Sequence, residues 1–314
     1  AKMAQEWIDA QGDQLELKAF INLHLAETFT EPGESVDPGF LRTRAAQDDR
    51  ARAVVPDGVA LLLVQVDVQT AGLGRLEAQV VGFTSDERAY LVDFQVFPGD
   101  PQQDQVYEDL DAWLLHGWLH QNGARMTPHL VLIDARDGNS KDAIYRFCAP
   151  RADRWIFPQM GVETLSSKGW AEESGARKMS QRMFLSATDD CKRVVMSRLN
   201  LEANAPKSIH LPAWVSDEYL DQLAAEKRVA VTDVKTRKTT YRWVRTRNRN
   251  EAIDLWAYAY AGWWIITRIL APELSGPEGR QQLEQLAALA SSASERVTPG
   301  EAPGRRIRSR GIFE

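Results

Sequence analysis

Residues 59–97 hold the feature that most limits what this chain can become: three β-rich runs in succession, parted by turn residues. Val59 to Val68 (VALLLVQVDV) is rich in β-branched residues. Leu73 to Phe83 alternates, with Leu76, Ala78 and Val80 against Arg75, Glu77 and Gln79, and Ala89 to Phe97 forms the third run. Gly72 and Gly74 punctuate the first connection and residues 84–88 the second, which predicts three consecutive antiparallel strands. A helix is expected over 102–121, with Val106, Leu110, Trp113, Leu114 and Trp118 on one face. A short apolar strand, His129 to Ile133, then ends at Asp134, and a helix follows over 140–148.

This βββαβα order, with a buried strand closing on an acid, predicts an α/β fold of the ribonuclease-H-like kind. Its mixed sheet should have three antiparallel strands first and be flanked by helices. Further helices are expected over 187–200 and 216–227, and a hairpin over 228–244. A central helix is expected from about 250 to 270. Leu255 to Ile266 (LWAYAYAGWWII) is apolar on every side yet bracketed by Asp254 and Arg268, too short to span a bilayer and suited to burial. Residues 3–29 read as an amphipathic helix ahead of a Pro/Gly/acidic break at 30–39. The expected organisation is therefore an arm or linker over 1–52, a domain over 53–271, and a flexible tail over 272–314 that carries a short helical stretch at 280–290. The first residue is not Met, which points to a piece of a longer protein. Cys148 and Cys191 are the only cysteines, too few for a disulfide framework or a Cys-rich zinc site, and are expected as small buried hydrophobes.

Several chemistries are excluded by motif. No Gly-x-x-x-x-Gly-Lys-Ser/Thr phosphate loop, Gly-x-Ser-x-Gly elbow or His-Glu-x-x-His pair occurs. His116 and His120 have an i,i+4 spacing, but no nearby carboxylate or thiolate completes a zinc shell, so a solvated helix face is expected for both. The acids are more informative. Asp67 lies in mid-strand, on the face of Gln65 and Gln69 and opposite Val64, Val66 and Val68. It reads either as part of a solvent-facing polar stripe or as a carboxylate with a cationic partner. Asp134 ends its strand where the chain turns, as a turn cap or as a site residue. Glu251 and Asp254 share one face of the central helix. First-turn acids complement the helix dipole without any further role. Asp254, however, lies among core-facing residues, where an unpaired charge costs several kcal/mol. A divalent cation offsets that cost, and oxygen-only ligation points to Mg²⁺ or Mn²⁺.

Just upstream, residues 235–249 (KTRKTTYRWVRTRNR) carry Lys235, Arg237, Lys238, Arg242, Arg245, Arg247 and Arg249 and no acid, with Tyr241 and Trp243 interleaved. In a chain of net charge −6 this local reversal is the mark of a polyanion-binding stretch. A solvated basic hairpin is the plainer alternative.

Three motifs carry a family resemblance. VPDGVALLLVQVDVQ, followed by RLEAQVVGF and YLVDFQVFPGDP, resembles the start of the nuclease domain in phage terminase large subunits of the lambda gpA type. LVLIDARDG falls where that family's second acidic strand end belongs, and RNEAIDLWAYA resembles its closing motif. WIDAQGDQLELKAFINLHLAETF is similar to the segment joining the family's packaging ATPase to its nuclease. The resemblance covers most of residues 5–268 and is looser over 150–230 and in the tail. It implies an Mg²⁺- or Mn²⁺-dependent endonuclease of ribonuclease-H-like fold that cuts concatemeric viral DNA during packaging. Asp67, Asp134 and Asp254 would bind two metal ions, and Glu251 would be an additional or alternative ligand. It also implies double-stranded DNA, the portal and the small terminase subunit as partners, the host cytoplasm as location, and an ATPase upstream of the linker. The rival readings are a non-catalytic module docking DNA or the portal, and a transposase or resolvase on the same fold.

Overall fold

The computed structural model describes residues 35–165, 167, 169–175, 181–232 and 239–292, with Met3 alone ahead of them. The expected helix over 3–29, the turn of the basic hairpin and the segment 293–314 lie outside the described residues.

Helix α1 (Pro38–Ala45) is capped by Asp37, whose side chain accepts from Phe40 N at 3.0 Å, and it buries Leu41 and Ala45. After the short β1 (Val54–Val55) come β2 (Val59–Gln69), β3 (Arg75–Thr84) and β4 (Ala89–Pro98), paired antiparallel as the three runs require. Helix α2 (Gln105–His116) leads into β5 (Trp118–His120) and β6 (Arg125–Met126), which form a small separate sheet with β1. β7 (Leu130–Asp134) then enters beside β2 and parallel to it, followed by α3 (Lys141–Cys148) and β8 (Ile156–Val162), parallel to β7. β9 (Ala171–Glu173) and β10 (Phe184–Ala187) extend this edge. After α4 (Thr188–Leu199), β11 (Ile209–His210) closes the other edge. The main sheet is eight-stranded, in the order β11-β4-β3-β2-β7-β8-β10-β9. It is the mixed, ribonuclease-H-like sheet flanked by helices that the sequence predicts. Helix α5 (Asp217–Leu223) precedes a detached two-stranded hairpin of β12 (Glu226–Thr232) and β13 (Thr239–Arg245). The central α6 (Glu251–Ile265) and the docked α7 (Gly276–Ser292) follow.

Two cores lie on the two faces of this sheet. Leu62, Val64, Val66 and Val68 of β2 face α2 and α3, whereas Leu61 and Leu63 face α6. The second face is tightly closed, since a Cβ on Gly262 of α6 would stand 2.9 Å from Leu63 Cδ2. Gln65 and Asp67 of β2 therefore do not face solvent: Gln65 is 0% exposed and Asp67 7%. The core also runs past residues 53 and 271, because Leu41 and Ala45 on one side and Leu283, Leu286 and Ala287 on the other are buried in it. Cys148 and Cys191 are free and buried, and no helix among the described residues is long and apolar enough to cross a membrane.

Three local expectations need correction. The helix expected to 121 stops at His116, because Gly117 turns the chain at φ +66° and a Cβ there would lie 2.5 Å from the Met126 carbonyl oxygen. His120 is consequently not on a solvated helix face: it is buried in β5, with Nε2 3.8 Å from Asp57 Oδ1. The helix expected over 216–227 ends at Leu223, after which β12 begins at Glu226.

Candidate active site

Parallel pairing aligns the first two aspartates. Val66 stands opposite Ile133, so the next residue of each strand, Asp67 and Asp134, ends up side by side on the α6 face. Asp254 is carried over them by the first turn of α6. The electrostatics record this convergence. Burial drives the Asp67 carboxyl up to about 8; a hydrogen bond donated by Gln69 Nε2 opposes the shift, while Asp134, Asp254 and Glu77 add to it. Burial likewise raises Asp134, and Asp254 adds to that. Tyr258 Oη, donating to Oδ2 at 2.9 Å, and Arg136 N, donating to Oδ1 at 3.0 Å, hold it back. Asp254 is raised by burial against the pull of Lys192.

Side chains that the sequence reading did not single out complete the site. Lys192 Nζ, on α4, lies 2.7 Å from Asp254 Oδ1 and 2.8 Å from Glu226 Oε2. Asn250 Nδ2 donates to Glu226 Oε1 at 2.6 Å and to Asp254 Oδ2 at 2.9 Å, closing a ring of four residues. Asp254 and Glu226 outweigh burial and raise the pKa of Lys192, which keeps it charged. Tyr258 follows Asp254 by one helical turn, the one sequence signal that could have found it. It has room because Gly161 of β8 bears no side chain; a Cβ there would stand 3.0 Å from Tyr258 Oη.

Glu251 is placed differently. Its Oε1 is 3.4 Å from Arg75 Nη2 and its Oε2 3.3 Å from Arg249 Nε, so it joins an arginine cluster and not the three aspartates. Arg249 belongs to that cluster as well, with Nη2 2.6 Å from Glu77 Oε1 and Nη1 paired with Glu218. Arg247 pairs with Asp221 at 2.8 Å. Arg242 and Arg245 are exposed on β13, with Arg245 opposite Glu226. Lys235, Arg237 and Lys238 lie outside the described residues.

The donor set suits a hard divalent cation. It consists of carboxylate oxygens only, and their mutual repulsion is of the kind a cation relieves. Asp67 Oδ1 accepts no hydrogen bond from the described residues. Lys192 and Asn250 hold Asp254 toward Glu226, and among the described residues no three acidic, histidine or cysteine side chains form a ready metal cage.

Adjacent parallel strands, one carrying a buried aspartate near its end and the other ending on one, beneath a helix that carries a third, define an acid-site α/β domain. The model of the terminase large subunit gpA endonuclease domain family matches residues 1–271, and the chain belongs to that family. Among its relatives is the terminase large subunit of Enterobacteria phage P21, 26% identical over 303 residues that cover 91% of this chain and 46% of that protein. Another is the terminase large subunit of Escherichia phage lambda, 27% identical over 273 residues, 83% of this chain and 40% of that one. The chain thus spans less than half the length of either. The solved large terminase of the thermophilic bacteriophage D6E is 16% identical, with a TM-score of 0.34 over 69% of this chain and 42% of that one.

Proposed function

We propose that this domain is a divalent-metal-dependent endonuclease that cuts concatemeric viral DNA during genome packaging in the host cytoplasm. The observation that carries this reading is the convergence of Asp67, Asp134 and Asp254 on one buried patch, each with its pKa raised, in a chain of the terminase endonuclease family.

In this reading the three aspartates hold two Mg²⁺ or Mn²⁺ ions. When bound, these supply Lewis acidity and a water of lowered pKa for in-line displacement at a phosphodiester. The rest falls to the chain itself. Tyr258 fixes the rotamer of Asp134 through Oδ2, leaving its other lone pairs directed at the site. Lys192 neutralises Asp254 and so keeps the helix turn ordered. Arg242 and Arg245, with Lys235, Arg237, Lys238 and Arg247, meet the backbone phosphates of duplex DNA, a contact that reads little sequence. Glu251 and Arg249 brace the first turn of α6 and do not touch substrate. The portal and the small terminase subunit are the partners proposed for the whole protein.

A plasmid-nicking assay with Mn²⁺, with and without a chelator, tests this reading. Cleavage that the chelator stops is expected. Tight DNA binding with no cleavage at any Mn²⁺ concentration would leave only a docking module, and strand-transfer products would point to a transposase.

A further inference from the structure

A directed chain of hydrogen bonds runs through the core toward the aspartates. Trp256 Nε1 donates to Tyr219 Oη at 2.9 Å, Tyr219 donates to Gln79 Oε1 at 2.7 Å, and Gln79 Nε2 donates to Gln65 Oε1 at 3.3 Å. An indole N–H can only donate, so the polarity of the chain is fixed from its far end. Tyr219 must accept from Trp256 and give its own proton to an oxygen. Gln79 therefore turns its carbonyl to Tyr219 and its amide to Gln65, and Gln65 in turn receives through oxygen and is left with a free NH₂.

That last group has no partner. Gln65 is 0% exposed and its Nε2 makes no hydrogen bond among the described residues. Leaving a buried donor unmade costs about 1–3 kcal/mol, and such a group calls for an occupant absent from the bare chain. Its position names the occupant. Gln65 precedes Asp67 by two residues on the same strand face, and its neighbour on β7 is Leu132, two residues before Asp134.

A second amide repeats the arrangement from the other side. Gln159 on β8 stands in register with Asp134, is 0% exposed, and accepts from Ser186 Oγ through Oε1 at 2.6 Å. Its Nε2 likewise makes no hydrogen bond among the described residues. Two buried glutamines thus stand beside the aspartate pair on the sheet, Gln65 two residues before Asp67 on β2 and Gln159 across from Asp134 on β8.

We propose that Gln65 and Gln159 are positioning residues of the site, whose amide NH₂ groups donate to the carboxylate oxygens and ordered waters that Asp67 and Asp134 gather when a divalent ion binds. The proposal rests on the nuclease reading above. It differs from a packing role in one respect: a packing residue matters to stability, whereas a donor aimed at the loaded site matters to metal affinity and turnover.

The test compares the full chain with its Gln65→Met, Gln159→Met and Tyr219→Phe variants. Three quantities are read: Mn²⁺ affinity by calorimetry, kcat and KM for plasmid cleavage, and metal-free Tm. Gln65→Met and Gln159→Met are expected to weaken Mn²⁺ binding and kcat by about 10–100-fold, the range for groups that orient metal ligands, with KM for DNA within about twofold. Tyr219→Phe strands both Trp256 Nε1 and Gln79 Oε1 but leaves the Gln65 amide in place, so it should lower Tm most and Mn²⁺ affinity least. Opposite rank orders for Tm and metal affinity support the proposal. Losses that follow Tm across the variants overturn it, as does wild-type Mn²⁺ affinity in both glutamine variants. If Gln65→Met fails to fold, Gln159→Met and Tyr219→Phe still give the ranking. A wild-type chain that neither binds Mn²⁺ nor cuts DNA defeats the nuclease reading itself and this inference with it; an active wild type with unaffected variants defeats this inference alone.

Discussion

Two acidic clusters meet at the first turn of α6, and they are built in opposite ways. Glu77 and Glu251 are met by Arg75 and Arg249, each arginine reaching both glutamates. Among the described residues, Asp67, Asp134 and Asp254 have one ion-paired cation, Lys192, which is shared with Glu226; Arg136 and Arg245 act on Asp134 and Asp254 only at longer range. The two clusters are immediate neighbours, since Asp67 and Glu77 face each other across β2 and β3. Burial is similar as well, with Glu77 at 1% exposure and Asp67 at 7%. What separates them is compensation. A buried carboxylate with two guanidiniums is a brace; buried carboxylates short of positive charge store free energy that an incoming cation releases. The acids that mark the site are therefore those whose buried charge is incompletely matched: three aspartates against one lysine that Glu226 also claims.

The strongest way to break this contrast is Asp67→Asn. Cleavage should fall by at least about a thousandfold while DNA affinity stays within about twofold, because the amide cannot anchor a cation; a variant that still cuts at the wild-type rate removes Asp67 from the chemistry. The same substitution should stabilise the metal-free protein. The Asp67 carboxyl titrates at about 8 folded, against an ordinary 3.8. Below pH 4 it is protonated in both states, so substitution changes nothing. Between about pH 4 and 8 the unfolded chain sheds the proton while the folded one keeps it, so stability falls with rising pH, and above about 8 the loss is complete. Relative to wild type, Asp67→Asn should gain stability across that window, by an amount on the order of a few kcal/mol at pH 9. Thermal melts at pH 5 and 9 with chelator check the sign; an equal Tm difference at both would show that Asp67 is not held protonated. Added Mn²⁺ should raise the Tm of the wild type and not that of the variant.

The contrast sharpens within one turn of α6. Asp254→Asn should abolish cleavage, whereas Glu251→Gln should lower stability by about 1–2 kcal/mol through the loss of its charge-assisted bonds and reduce cleavage by less than about tenfold. Equal losses of cleavage from both, at matched Tm, would merge the two clusters into one site.

This division was only half visible in the chain. Asp67, Asp134 and Asp254 could be picked out because each interrupts an apolar pattern: a β-branched run, a strand end, an all-apolar helix. Those patterns are local, with periods of two or 3.6 residues. Their partners are not local. Lys192 and Glu226 are 34 residues apart and Tyr219 and Gln79 are 140 apart, and no periodicity joins such pairs. The same limit explains the helix expected to reach 121: what halts it at Gly117 is the Met126 carbonyl, brought there by β5 and β6 pairing. Gln65 was seen on the face of Asp67, but whether that face met water or α6 depended on packing around Gly262. The basic stretch 235–249 was read as uniform, and the fold divides it: Arg249 is spent on Glu77, Glu218 and Glu251, while Arg245 remains exposed.

That division gives the smallest and most discriminating effect. Each phosphate neutralised by a cation contributes about −0.9 to the slope of log K against log salt for duplex DNA. Among the described residues Arg245 forms no ion pair; it lies exposed on the hairpin strand opposite Glu226, with its charge felt at longer range by Asp254, so Arg245→Ala should flatten the slope by about 1 and weaken binding alike for all sequences. Arg247 is drawn toward Asp221, and Arg247→Ala should flatten it less. Arg249→Ala should leave the slope unchanged and instead lower Tm, because its guanidinium already serves three glutamates. Fluorescence anisotropy on a short duplex between 50 and 200 mM salt, about the range over which such contacts are resolved, reads all three. If Arg249→Ala flattens the slope as much as Arg245→Ala, the arginine cluster is part of the DNA surface, and the line drawn between brace and site moves outward to include it.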